Sequence, residues 1–330
     1  MHDHNGIQRI LEAPFVPLGQ WPTPISTISR SNGVDVLVKR DDLSGHGRGG
    51  VKTRKIEHLV GHMLEKGYGS LVTPVGNVTN LVHDILPVLR RFDIAWEIVV
   101  ADVPPLPLGE RRRIFGSLGN SVRLIGPSHI EAAGALAGAY YRSRRAGRRP
   151  FLAPPSLAHP AAVIAAARGF LEMAGQVEAM GAPPLQTVFI TAASGTAFAG
   201  FVLAENLLRR QGHRPIHVVG VQVYPGPARW WIHGLVRWTE HYLSVPDRVP
   251  RGRIDLRTTR IYREFGRYPT DLVELCASVR DETGLRLDPV FGGKTWSIME
   301  SCLAQGRGEG SVLYWHCGYT PDWEILPAVR

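Results

Sequence analysis

Eight short apolar runs alternate along this chain with eight runs of helical periodicity, and that alternation limits the fold more than any other feature. The apolar runs lie at 34–39, 70–75, 95–101, 121–125, 151–153, 187–191, 216–223 and 311–316. The helical runs lie at 55–66, 79–91, 107–118, 130–146, 160–179, 197–211, 270–284 and 293–304. Strands that each lead into a covering helix predict an α/β fold, with parallel-type twisted sheets flanked by helices on both faces. At 330 residues the chain can bury the cores of two such domains. It contains no internal repeat and no long low-complexity stretch.

The junctions between these runs carry the chemistry. Gly49-Gly50-Val51-Lys52-Thr53-Arg54-Lys55-Ile56-Glu57 follows the first apolar run and opens a helix. The first N–H groups of a helix are unpaired and sit at the positive end of its dipole, so anions bind there. An amine such as Lys52, beside a held anion, is placed to react with an aldehyde, which is what a cofactor-carrying lysine needs. By itself the motif reads more simply as a basic surface turn. Three later junctions weigh against that plain reading. Gly76-Asn77-Val78-Thr79-Asn80 offers hydroxyl and amide groups after an apolar run. Ala193-Ser194-Gly195-Thr196-Ala197 exposes backbone N–H groups and hydroxyls at a strand-to-helix turn. The run 312–316 ends in Cys317-Gly318.

Taken together, in this order and spacing, the motifs resemble those of fold-type II pyridoxal phosphate (PLP) enzymes, in the group of 1-aminocyclopropane-1-carboxylate (ACC) deaminase and D-cysteine desulfhydrase. The likeness runs from Pro22-Thr23-Pro24 to the last strand. Its anchors are Lys39-Arg40-Asp41-Asp42, the Lys52 to Glu57 segment, Thr79-Asn80, Ser194-Gly195-Thr196, Leu287-Asp288-Pro289-Val290 and His316-Cys317-Gly318. The resemblance implies that Lys52 carries the cofactor and moves the Cα proton, and that Lys55 contacts the cofactor phosphate. It implies that Asn80 bonds the phenolic oxygen and that Thr79 faces the substrate carboxylate. Ser194, Gly195, Thr196 and Ala197 would form the phosphate cup, and Cys317 would lie near the pyridine nitrogen. It further implies a large cofactor-binding domain of 1–55 and 166–330, an inserted small domain of 56–165, and a cytoplasmic homodimer acting on a small amino acid.

The departures from the family pattern fall on the substrate side. Val51 replaces Asn before the lysine, and Leu81 replaces Gln or His. Asp-Pro-Val-Tyr reads Asp288-Pro289-Val290-Phe291 here, with Gly292 where ACC deaminase carries Glu. A second tyrosine of that enzyme aligns with Phe265, although Tyr268 is close by. Loss of these hydroxyls removes the acid/base groups that opening a cyclopropane ring needs. His159 is a further candidate for the substrate pocket. Trp230-Trp231 could line a cleft or a subunit contact, with packing of a helix against a sheet as the plainer role, and Trp296 is expected in the core.

Composition bounds the rest. Forty-four per cent apolar and 20% charged residues describe a globular chain. No apolar run is long enough to span a membrane. The first residues lack a charged-then-apolar leader pattern, and Cys276, Cys302 and Cys317 have neither metal nor disulfide spacing, so a reducing cytosol is expected. The net charge of +9 sits in scattered arginine runs without interleaved aromatics, which argues for a solvated surface and against a nucleic-acid partner. Two functions follow. One is a PLP enzyme that removes a Cα proton and carries out β-elimination or β-replacement on a small amino acid. The other is a degenerate protein of the same fold that binds a ligand without turnover. Retention of Lys52, Lys55 and Asn80 favours the first.

Overall fold

A computed structural model describes residues 4–29, 35–47, 49–75, 80–101, 121–125, 128–181, 183–223, 228–245, 248–258, 268–305 and 311–318. In chain order the helices are α1 (His4–Leu11), α2 (Val51–Glu65), α3 (Asn80–Arg91), α4 (His129–Arg145), α5 (Pro160–Ala179), α6 (Thr196–Arg210), α7 (Arg229–Tyr242), α8 (Thr270–Thr283) and α9 (Gly292–Ala304). The strands are β1 (Ile25–Ser29), β2 (Asp35–Lys39), β3 (Ser70–Val75), β4 (Ala95–Ala101), β5 (Val122–Ile125), β6 (Pro150–Leu152), β7 (Leu185–Thr191), β8 (His217–Val221), β9 (Asp255–Arg257) and β10 (Ser311–Trp315).

These elements form two compact units. The larger gathers the described residues of 1–13, 17–55 and 160–330, and the smaller those of 14–16 and 56–159. The division falls at Pro160, where α5 begins, and not at 166, because α5 is one uninterrupted helix whose proline start suits its first turn. The smaller unit holds a four-stranded parallel sheet ordered β5-β4-β3-β6. The larger holds a six-stranded sheet ordered β1-β2-β10-β7-β8-β9. Its strands run parallel except for β1, which pairs antiparallel with β2 in the register Ile25↔Lys39. The sequence Ile-Ser-Thr-Ile-Ser of β1 has no apolar run, so this edge strand escapes a reading that searches for buried parallel strands.

Strand positions otherwise follow the apolar runs to within a few residues. The helical run at 107–118 lies outside the described residues. α2 starts four residues earlier than the periodicity predicts, since nothing after Gly50 interrupts it, and this puts Lys52 inside the first turn. α1, α7 and β9 have no counterpart among the runs. Trp230 on α7 is 74% exposed, whereas the Trp231 indole donates to the Ser194 carbonyl at 3.2 Å.

The core of the larger unit is aromatic. Trp296, Trp315, Tyr314, Phe170, Phe198 and Phe201 are fully buried. Trp296 meets Tyr314 edge-on at 5.0 Å, as its expected core role requires, and Phe201 meets Trp315 at 4.5 Å. Each such side chain contributes on the order of 2 kcal/mol by leaving water. Among the described residues no helix is long and apolar enough to cross a membrane.

Candidate active site

β7 and β10 are central neighbours in the large sheet and run parallel, with Tyr314 opposite Phe189. In open α/β sheets ligands bind beyond the carboxyl ends of such strands, and a cavity of this unit opens there. It spans about 720 Å³ of empty space, part of it open to solvent. Lys52, Lys55 and Val51 come to it from the start of α2, and Thr191 and Ala193 from the end of β7. Ser194, Gly195 and Ala197 line it from the start of α6, and Cys317 and Gly318 from beyond β10. Ala162, Ala166 and Phe291 complete the described wall.

Two backbone devices shape it. Gly50 has a φ of +83°, and a Cβ there would fall 1.9 Å from the Cys317 carbonyl oxygen; only glycine permits this approach. The Val51 N–H donates to that same carbonyl at 3.1 Å, and the Gly50 N–H to the Asp41 carbonyl at 2.7 Å. The start of α2 is thereby stitched to the end of β10. At the second device, α6 begins at Gly195, whose φ is +80° and which offers no side-chain cap. The start of α6, the positive end of its dipole, thus lines the cavity, and its Thr196 N–H donates to Ser194 Oγ at 3.4 Å. Ser194 Oγ lies 3.0 Å from Thr196 Oγ1. Thr196 is fully buried and reaches the wall through Ser194.

The electrostatics favour an anion. Burial, and then the neighbouring Lys52, pull the Lys55 amine down to about 7, and a bound anion would reverse both effects. The Lys52 amine stands 6.0 Å from the centre of the Phe291 ring. Burial pushes the Cys317 thiol up to about 12, so it stays neutral; its Sγ lies 3.6 Å from the Trp315 carbonyl. Among the described residues that line the cavity there is no carboxylate. Asp288 lies just behind Phe291, where its Oδ1 accepts the N–H groups of Val290 and Phe291 at 3.0 and 2.8 Å. Burial raises its pKa, while its bonds to those N–H groups, the Lys52 charge and the nearby His316 oppose the shift. His316 accepts the Gly318 N–H on Nδ1 at 3.3 Å and sits 2.8 Å from the Arg286 carbonyl through Nε2, which fixes the ring as the Nε2–H tautomer.

The cavity therefore brings together Lys52, Lys55, Ser194, Gly195, Ala197, Phe291 and Cys317 from the sequence-derived set. Thr79 and Phe265 lie outside the described residues. Asn80 opens α3, and its side chain and that of Leu81 also lie outside them. His159 is buried in the smaller unit, its ring 4.8 Å from His62 and 5.1 Å from Phe151. Sequence reasoning missed Thr191, Ala162 and Ala166 as wall residues. Two are alanines on a helix rich in alanine, and the threonine ends an ordinary buried strand, so none carries a local signal.

The profile of the family described as "Pyridoxal-phosphate dependent enzyme" matches residues 16–318. The chain is 29% identical over 321 residues to a Pyrococcus abyssi protein provisionally named 1-aminocyclopropane-1-carboxylate deaminase, covering 93% of this chain and 92% of that one. It is 28% identical over 335 residues to 1-aminocyclopropane-1-carboxylate deaminase of Ralstonia nicotianae, covering 93% and 95%. The crystal structure of an ACC deaminase homologue superposes with a TM-score of 0.80 at 26% identity, covering 95% of this chain and 94% of the other.

Proposed function

Since the chain belongs to the pyridoxal-phosphate-dependent enzyme family, we propose that it removes the Cα proton of a small amino acid and completes a β-elimination or β-replacement. Bound PLP supplies an electron sink for the carbon that loses its proton. The observation that carries the reading is the convergence of Lys52, Lys55 and the uncapped start of α6 on one cavity at the carboxyl edge of β7 and β10.

These residues fit the cofactor. Its phosphate suits the N–H groups after Gly195, the Ser194 hydroxyl and the buried Lys55 amine. Lys52 lines the same cavity two residues after Gly50 and can hold the aldehyde carbon and then take or return a proton at Cα. Phe291 walls the Lys52 side with an apolar ring and helps to exclude water. The neutral Cys317 thiol is a weak hydrogen-bonding partner for a ring nitrogen. With no carboxylate on the described wall, nothing there holds a full proton on that atom. That favours rapid loss of a β leaving group over prolonged storage of charge in the ring.

The same wall argues against efficient opening of ACC, whatever the names of the relatives. Phe291 has no hydroxyl to exchange a proton, and Gly292 offers no carboxylate. On the resemblance alone, the reading extends to a cytoplasmic homodimer. The test is a scan of purified, PLP-loaded protein against small amino acids that carry a β leaving group, following release of keto acid and ammonia. Turnover with one of these and not with ACC supports the reading. Rapid formation of 2-oxobutyrate from ACC, or no turnover with any of them, overturns it.

A further inference from the structure

The first turn of α2 holds three cations within four residues, Lys52, Arg54 and Lys55, and no acidic residue. Cations are disfavoured at a helix N-terminus, because the dipole is positive there. The sequence therefore places its cofactor-facing amines where the helix repels them, and something beneath the helix must hold that turn in place.

Arg54 points away from the cavity into a buried polar hub. Its Nε and Nη2 donate to the two carboxylate oxygens of Asp41, both at 2.9 Å, and its Nη1 and Nη2 donate to the two oxygens of Glu172 on α5, again at 2.9 Å. The Trp21 ring lies 3.7 Å from the guanidinium carbon. Asp41 also accepts the Thr23 hydroxyl at 2.7 Å and the Trp315 indole N–H at 3.1 Å. Lys39 donates to Glu172 at 2.5 Å and to the Thr23 carbonyl at 2.6 Å. A Cβ on Gly169 would come within 3.1 Å of Arg54 Nε, so α5 is cut back to admit the guanidinium. Two doubly bonded arms and a stacked ring fix this group in position and angle. A buried ionic cluster is a poor way to gain stability compared with apolar packing, and its best-attested use is to enforce one arrangement.

We propose that Arg54, held by Asp41 and Glu172, is the positioning residue of the cofactor site: it locks the first turn of α2 so that Lys52 and Lys55 both face the cavity. The two carboxylates offset Arg54 and Lys39 inside the hub. Lys52 and Lys55 line the cavity, where an anionic cofactor would face them. This inference rests on the reading that Lys52 carries PLP.

Glu172→Gln and Arg54→Met test it, with three measurements on each protein: the melting temperature without cofactor, the Kd for PLP, and the pH midpoint of the Lys52-dependent absorbance band near the visible edge. Among the described residues the titratable groups that face Lys52 are Asp288, Cys317 and Lys55, and all are retained in both variants. Glu172→Gln is expected to remain folded, to bind PLP about tenfold more weakly, and to shift the midpoint to lower pH, because the Arg54 charge is less offset. Arg54→Met removes that charge and is expected to shift the midpoint to higher pH. If Arg54→Met does not fold, the affinity and midpoint of Glu172→Gln decide the matter. A purely structural hub would lower the melting temperature and leave the affinity and midpoint of the folded protein unchanged, and that result overturns the proposal, as do shifts of the same sign in both variants. Wild-type protein with no Lys52-dependent band would overturn the functional reading and this inference together, whereas a normal wild-type band with unaffected variants overturns the inference alone.

Discussion

The Lys52 amine faces the Phe291 ring, with 6.0 Å between the nitrogen and the ring centre. A phenyl ring draws a cation through its quadrupole, but it has no proton to give or accept. The side of the cavity nearest Lys52 is thus apolar, and in the proposed reading Lys52 itself handles the Cα proton.

Phe291→Tyr should add what ring opening lacks. The expected outcome is a rise of at least about tenfold in 2-oxobutyrate formation from ACC, from a near-zero wild-type rate. Steady-state assays of the two purified proteins decide it. A fast wild-type enzyme would show that the hydroxyl at this position is dispensable.

His159 and His62 make the smaller unit sensitive to acid. The rings pack against each other and Phe151. Burial, and then His62, push His159 down to about 3, while burial also lowers His62. A histidine with a lowered folded pKa binds fewer protons when folded than when unfolded. Its stability contribution is fully present above the unfolded value near 6.5 and is lost as pH falls from there toward about 3. Urea unfolding at pH 7.5 and pH 5 should show a loss on the order of a few kcal/mol, and His159→Phe should flatten that dependence. An unchanged slope in the variant would contradict the assignment.

Gly50→Ala should damage the site more than its size suggests. The new methyl group would meet the Cys317 carbonyl at 1.9 Å from a backbone with φ +83°. The expected cost is about 2 kcal/mol or more, together with weaker PLP binding as α2 is pushed off β10. Thermal melting and cofactor titration check both effects. A stability and an affinity within error of wild type would rule out the close approach.

The fold was legible because buried strands advertise themselves as apolar runs, and nearly every described strand of the parallel sheets has one. β1 escaped because three of its five residues are Ser or Thr, and α7 because Gly234 and exposed tryptophans blur its apolar face. Within the site, Lys52 and Ser194-Gly195 were visible from the physical chemistry of helix starts, and the role of Lys55 came from the likeness to a family. Phe291 and Cys317 became visible only through the likeness to a family, since a Phe in a loop and a Cys after a strand have no chemistry that marks them. His159 looked like a cleft residue because a lone histidine invites a chemical role, yet its ring is packed among aromatic neighbours. The Arg54 hub stayed hidden for a different reason. Its charges come from separate segments, at 39–41, 54 and 172, and only the folded chain joins them.

Reduction of the PLP-loaded protein with borohydride, followed by peptide mapping, tests the central claim most directly. Borohydride fixes the cofactor to the lysine that carries it. The expected result is PLP on the peptide containing Lys52, with loss of both the label and the visible-edge absorbance in Lys52→Ala. Label on another lysine, or an absorbance band that survives in Lys52→Ala, would contradict the assignment.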